Sequence, residues 1–291
     1  MRFLPVVSIA TVLVILAIHR PISAALVPVA NASFELPASA SGSLNVQSWS
    51  KLPTPDWFVE TPQQTWDQLA GTFRPSASEP LENLEGAQAV YLYSLPDVGL
   101  MQDLISSNSP IVYELGTSYE LQFALLGNGT IKEGGSVAAI LYYRDGNGKP
   151  VPAAQIVVTN SGAVFTSTTR FIDFSLAMPT VQSNQPWADR QIGIMFVSAT
   201  PEALAGGIWY LDNIRLASRG ELRVAGSRRG DNLRVAWTSA PEKNYELQTS
   251  TDLKSWSTLG ALAQGDGSEL SRLLPFAEAT TLFVRVRETD P

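Results

Sequence analysis

The sequence predicts an all-β protein built as two β-sandwiches, and three observations lead there. Nineteen prolines and 21 glycines in 291 residues supply enough turn punctuation to cut the chain into many short segments. Between the turns lie short apolar runs, several with period-2 alternation, and helical periodicity is scarce. Once a leader is set aside, 291 − 25 = 266 residues remain, which suits two domains better than one.

The leader comes first. Arg2 is followed by FLPVVSIATVLVILAI and then PISAA, where Ser23 and Ala25, or Ile22 and Ala24, stand in the positions before a cleavage site. Residues 1–25 therefore read as a secretory signal peptide. The apolar run falls short of the roughly 20 residues a membrane-spanning helix needs, and His19 and Arg20 follow it at once. No later segment is long and apolar enough to span. The mature chain is expected to be secreted or cell-envelope associated.

Composition narrows the chemistry. The formal charge is −7, and loss of Arg2 and Arg20 with the leader makes it −7 − 2 = −9. Nucleic acid is excluded as a partner, because such affinity comes mainly from Lys and Arg neutralising phosphates. The one histidine, His19, leaves with the leader, and cysteine is absent. A Ser-His-Asp triad, a thiol nucleophile, a usual haem or iron-sulfur site and a zinc site with N or S ligands are thereby excluded. Carboxylate chemistry and oxygen-ligated calcium stay open.

Residues 26–218 form the first expected domain. Its strands are AVYLYS (89–94), SYELQFALLG (118–127), SVAAILYYRD (136–145), AQIVVTN (154–160), RFIDFSLAM (170–178), RQIGIMFVSA (190–199) and IWYLDNIRL (208–216). Trp57 to Ala70 has room for a short helical turn, and Pro62 argues against a longer one. Alternation places Tyr119, Leu121, Phe123 and Leu125 on one face, and Ile172, Phe174 and Leu176 opposite Phe171, Asp173 and Ser175. Several strands are apolar on both faces, as in two packed sheets. About eight strands between residues 29 and 216 is jelly-roll size. DGNGK (145–149) reads as the turn of a hairpin.

The last of these strands poses a problem. In GIWYLDNIRLAS (207–218), Ile208, Tyr210, Asp212, Ile214 and Leu216 share one side. A carboxylate in that apolar row needs a bulged strand or a specific partner. After it the pattern shortens. ELRVAG, NLRVAWT, NYELQTS, SWSTLG, ELSRLLP and TTLFVRVRE recur about every ten residues, so residues 219–291 are expected to form a small β-sandwich of immunoglobulin/fibronectin type. Its core is expected to hold Leu233, Val235, Trp237, Tyr245, Leu247 and Trp256.

Two resemblances follow from these motifs. VANASFELP (29–37), a W-rich segment, EGAQAVYLYS (85–94), LGTSYELQFAL (115–125) and GIWYLDNIRL, in that order, resemble bacterial exported jelly rolls of the galactose-binding-like, carbohydrate-binding-module superfamily. Trp237, Tyr245, Leu247, Gln248, Ser250, Asp252, Leu253 and Trp256 resemble the small C-terminal β-sandwich of verrucomicrobial and planctomycetal exported proteins. The first resemblance implies a structural calcium between the opening and closing strands, held by Glu35 and Asp212, with backbone carbonyls and Asn31 or Asn213 completing the six to eight oxygens. The alternative is a hydrogen-bonded Asp212 without metal.

It also implies sugar rings stacked on exposed aromatics. PDWFVETPQQTWDQLAGTF (55–73) offers Trp57, Phe58 and Trp66 as the carbohydrate-binding residues, beside Asp56, Gln63, Gln64, Asp67 and Gln68. Alternatively, two of these rings cap the core. The expected function is that of a non-catalytic exported protein whose jelly roll binds a polysaccharide or cell-surface glycan. A structural envelope or matrix protein without a small ligand is the alternative. A carboxylate glycosidase or lyase needs two acids roughly 5 to 9 Å apart, a pair the sequence does not place.

Overall fold

The computed structural model describes residues 12–15, 25–127, 129–220, 222–239, 243–266, 268–275 and 281–289. The chain divides into two compact units, Leu26–Ser218 and Met1–Ala25 with Arg219–Pro291. Of the expected leader, Val12–Ile15 is a strand paired in parallel with Thr281–Val284. The rest of residues 1–24 lies outside the described residues.

The first unit is a jelly-roll sandwich. The strands of its two main sheets are β1 (Ala25–Val27), β2 (Gly42–Ser43), β3 (Ser50–Lys51), β4 (Ala70–Phe73), β5 (Ala89–Tyr93), β6 (Gly99–Asp103), β7 (Thr117–Gly127), β8 (Ser136–Arg144), β9 (Pro150–Thr159), β10 (Ile172–Met178), β11 (Gly193–Ser198) and β12 (Ile208–Gly220). One sheet runs β10-β7-β12-β5-β4-β2, with β1 also against β12, and the other runs β9-β8-β11-β6-β3. Eight of these strands have five residues or more. The sequence pattern misses β6, a five-residue strand too short to show a period. The expected helical turn is the 3-10 segment Trp66–Leu69.

Alternation builds the core. Leu121, Phe123 and Leu125 of β7, Val90 and Leu92 of β5, and Trp209 and Leu211 of β12 meet Val137, Ala139 and Leu141 of β8, Ile194 and Phe196 of β11, and Leu100 of β6. Removing a residue such as Phe123, 1% exposed, to alanine costs about 3–5 kcal/mol by lost transfer and cavity formation. The 145–149 turn closes the β8–β9 hairpin, where the Asp145 carboxylate accepts the Asn147 and Lys149 N–H groups at 2.9 Å each.

The second unit pairs Val224–Arg229, Asn232–Thr238 and Glu269–Pro275 in one sheet, and centres the other on Asn244–Ser250 and Thr281–Thr289. Leu233, Val235, Trp237, Tyr245 and Leu247 are buried as expected. Trp256 is not a core residue: it is half-buried, and the Arg285 guanidinium lies 4.1 Å from its ring centroid. The S-x-D-L motif has a local cause, since Asp252 Oδ1 accepts the Lys254 and Ser255 N–H groups at 2.8 Å and so closes a turn.

Candidate functional site

Strand β12 resolves the misplaced carboxylate. Trp209 and Leu211 point into the core, and so do Ile214 and Leu216, three residues on from Leu211 rather than two. Asn213, at φ 59°, takes the extra step. The expected apolar row Ile208-Tyr210-Asp212-Ile214-Leu216 therefore does not exist: a bulge turns Asp212 and Asn213 away from the core together. Asp212 is nevertheless 0% exposed.

The cover over Asp212 is the segment before β5. The Glu85 N–H donates to Asp212 Oδ2 at 2.7 Å, and Glu85 is ion-paired with Arg215 at 3.2 Å. Glu35 is held by the same segment, its Oε1 accepting the Ala87 and Gln88 N–H groups at 2.9 Å each. Gly86, at φ +81°, lies against that carboxylate: a Cβ there would be 2.4 Å from Glu35 Oε1. One loop thus gathers the two predicted metal ligands.

Their electrostatics are unfavourable as they stand. Burial pushes the Asp212 carboxyl up to about 7, against the backbone hydrogen bonds from Glu85 and Asn213, and the Glu85 and Glu35 charges add to the rise. Asp212 Oδ1 and Asn213 Oδ1 are buried without a hydrogen-bond partner. Oxygens of this kind fit a hard cation. Asn31 does not join them, because its amide is committed to the Leu36 and Gln47 carbonyls and the Leu36 N–H. Among the described residues no group of three or more His, Cys, Asp or Glu could hold a metal, so calcium here would lean on amide and carbonyl oxygens.

The predicted sugar platform is mostly interior. Trp57, Phe58 and Trp66 pack edge to face at centroid distances of 5.1–5.9 Å. Trp66 is 6% exposed, with its indole N–H on the Leu52 carbonyl at 2.7 Å, and Phe58 packs on the core. Only Trp57 of the three is open, 49% exposed with its N–H on Asp97 Oδ2 at 3.2 Å. The neighbouring acids serve the fold: Glu60 accepts the Trp66 N–H and Asp67 pairs with Lys51.

An apolar cluster the sequence pattern overlooks lies on the outer side of the β9-β8-β11-β6-β3 sheet, with Met101, Ala138, Ile140 and Tyr142 buried and Leu52, Met195 and Val197 half-buried against them. It is separate from the core. Register explains it, since Ala138 faces Val197, Ile140 faces Met195, and Met195 faces Met101. At its end the Tyr142 hydroxyl donates to Asp103 Oδ1 at 2.8 Å, and Arg144 donates to both Asp103 oxygens at 3.1 and 3.0 Å. Burial, helped by Asp103, pushes the Tyr142 phenol up, so the proton stays on the phenol. The Asp103 side chain keeps 31% exposure and is reachable from outside. In the sequence the signal is SVAAILYYR, apolar on both faces, while β6, which brings Met101 and Asp103, is too short to show a period.

Comparison with known proteins completes the description. The family model for HpiC1-like proteins, described as HpiC1 cyclase, matches residues 25–217. A cyclase from Fischerella sp. TAU is similar at 19% identity and TM-score 0.52 over 67% of this chain and 98% of that one. A crystal of a cyclase from the same source in complex with 4-(1H-indol-3-yl)butan-2-one matches at 19% identity and TM-score 0.50, with the same coverage. The C-terminal family 22 carbohydrate binding module of Clostridium thermocellum Xyn10B matches over 65% of this chain and 96% of its own at 13% identity and a TM-score of 0.35. No curated protein matches the chain. The family match points to enzymes and overturns the expectation of a protein without catalytic role.

Proposed function

Because the chain belongs to the HpiC1-like cyclase family through residues 25–217, we propose that its jelly roll is an enzyme that closes a ring on an apolar, unsaturated substrate. The family match carries this reading, and the apolar outer sheet face supports it. A ring closes when a flexible molecule is held folded with its reacting carbons in contact, and a water-free apolar floor does this without directional bonds. The half-buried Met195 and Val197, beside the buried Met101 and Ile140, supply such a floor, with methionine adapting to irregular shapes. Asp103 can stabilise positive charge that develops on the substrate and accept the proton released on closure. Tyr142 and Arg144 are positioning residues that hold its carboxylate. Asp212, wholly enclosed, has no route to a substrate.

Asp212 has the second role, with Glu35. Calcium between them would neutralise the buried Asp212 and the half-buried Glu35 and give Asp212 Oδ1 its missing partner, fastening the opening segment to β12. The orphaned oxygens support this. Export follows from the leader, and the C-terminal sandwich is read as a spacer or attachment module. A glycan partner is the second reading, supported by the half-exposed Trp57 beside Asp97.

The test incubates the full chain, with calcium and with chelator, with unsaturated apolar compounds bearing an aromatic ring, and follows cyclised product by mass spectrometry. The indole ketone serves as a binding probe by isothermal titration calorimetry. Product formation lost in Asp103→Asn, together with probe binding lost in Ile140→Asp, is expected. Absence of both binding and product across the panel overturns the ring-closing reading.

A further inference from the structure

The opposite outer face of the jelly roll carries a cavity of about 370 Å³. Eight residues line it, and six are polar: Glu120 and Gln122 of β7, Asp173 and Ser175 of β10, and Asn213 and Arg215 of β12, with Phe123 and Phe174 between them. Register brings them together, with Gln122 directly opposite Ser175 and Asp173 opposite Ala124. The bulge in β12 matters here, because it turns Asn213 onto this face with its Oδ1 buried and without a donor.

The chemistry of the lining selects among ligands. An anion meets two carboxylates and one guanidinium, and that guanidinium is already paired with Glu85 at 3.2 Å. An apolar molecule would strip water from six polar groups and return no hydrogen bonds. A hydroxyl is donor and acceptor at once, and a polyol presents several at fixed spacing. Carboxylate acceptors, a guanidinium donor, and two amides and a hydroxyl that do both form the complement of such a ligand. The volume lies at the lower end of the range for small-molecule sites.

We propose that this cavity binds a neutral sugar through its hydroxyl groups, at a site separate from both the apolar sheet face and Trp57. Only the ligand class is shared with the glycan reading of Trp57, and the ring-closing reading is not required. Hydroxyls of the sugar donate to Glu120 and Asp173 and accept from Gln122, Ser175 and Arg215.

The experiment is saturation-transfer NMR on the full chain with galactose, glucose and xylose as separate probes. At least one is expected to receive saturation. Ser175→Trp, which fills the cavity from an exposed position, abolishes the signal, and Gln122→Ala weakens binding about 5-fold, the loss of one hydrogen bond. Trp57→Ala leaves it unchanged. Signal lost in Trp57→Ala but kept in Ser175→Trp supports the platform and overturns the cavity. Silence of all three sugars overturns the proposal, as does displacement of a bound sugar by millimolar inorganic phosphate, which would mark an anion site. Circular dichroism confirms that both cavity variants are folded.

Discussion

The two outer faces of the jelly roll are built from the same alternating strands and differ in character, although the more polar one also carries an apolar cluster around Ala124, Phe73 and Tyr210. On β6, β8 and β11 the outward positions are Met101, Ala138, Ile140, Met195 and Val197; on β7, β10 and β12 they include Glu120, Gln122, Asp173, Ser175 and Arg215. The polar face is cross-linked to the segment before β5, Glu85 to Arg215 and Asn83 to Asp173, with Asp212 beneath. The apolar face is a floor of side chains held by dispersion, with its polar groups gathered at one end. Stability should therefore respond to changes near the first face and activity to changes on the second. A fold can place its anchoring and its chemistry on opposite sheets, because a packed core insulates one from the other.

The largest expected effect concerns Asp212. Its folded-state carboxyl is raised to about 7 from 3.8, so without metal its contribution is fully present below about pH 4 and lost as pH rises through about 7. At roughly 1.4 kcal/mol per pKa unit, the loss is on the order of 4 kcal/mol. In chelator the melting temperature should fall between pH 5 and 8 for the native sequence and stay level for Asp212→Asn, with calcium restoring the native protein at pH 8. Parallel profiles for the two would break the account of the anchored face.

Next comes Gly86→Ala, which adds a Cβ against Glu35 at a positive φ. It should cost about 2 kcal/mol in urea denaturation, and an unchanged midpoint would detach Glu35 from the closure. On the other face, Met195→Lys should cost under ~1 kcal/mol, since the residue is only partly buried, yet abolish binding of an apolar probe. Stability lost with binding intact would reverse the comparison. The smallest effect is that of Trp57→Ala, within about 0.5 kcal/mol by calorimetry; a larger loss would show that its ring serves the core as Trp66 does.

Much of this fold was legible in the residues. Period-2 alternation placed Leu121, Phe123 and Leu125 together, and the Asp145 turn followed from its Asn and Gly neighbours. Glu35 and Asp212 were paired by resemblance, and the structure brings them to one loop. Trp57 and Trp66 part company in the structure because a tryptophan in a Pro-rich segment looks the same in sequence whether it points out, as Trp57 does, or in, as Trp66 does. The apolar face was missed for a related reason: SVAAILYYR is apolar on both sides, and a buried strand was the simpler explanation.

By itself, then, the sequence determined the all-β class, the chemistries excluded by the lack of Cys, and which side chains share a strand face. Those depend on composition and on a local period of two. Tertiary structure decided the rest: that β12 bulges at Asn213, that a loop buries Asp212, that Met101 and Asp103 join Ile140 and Tyr142 on one surface, and that Gln122 meets Ser175 across a cavity. Alternation assigns a side chain to one of two faces, while what lies opposite that face is set by strands far away in sequence.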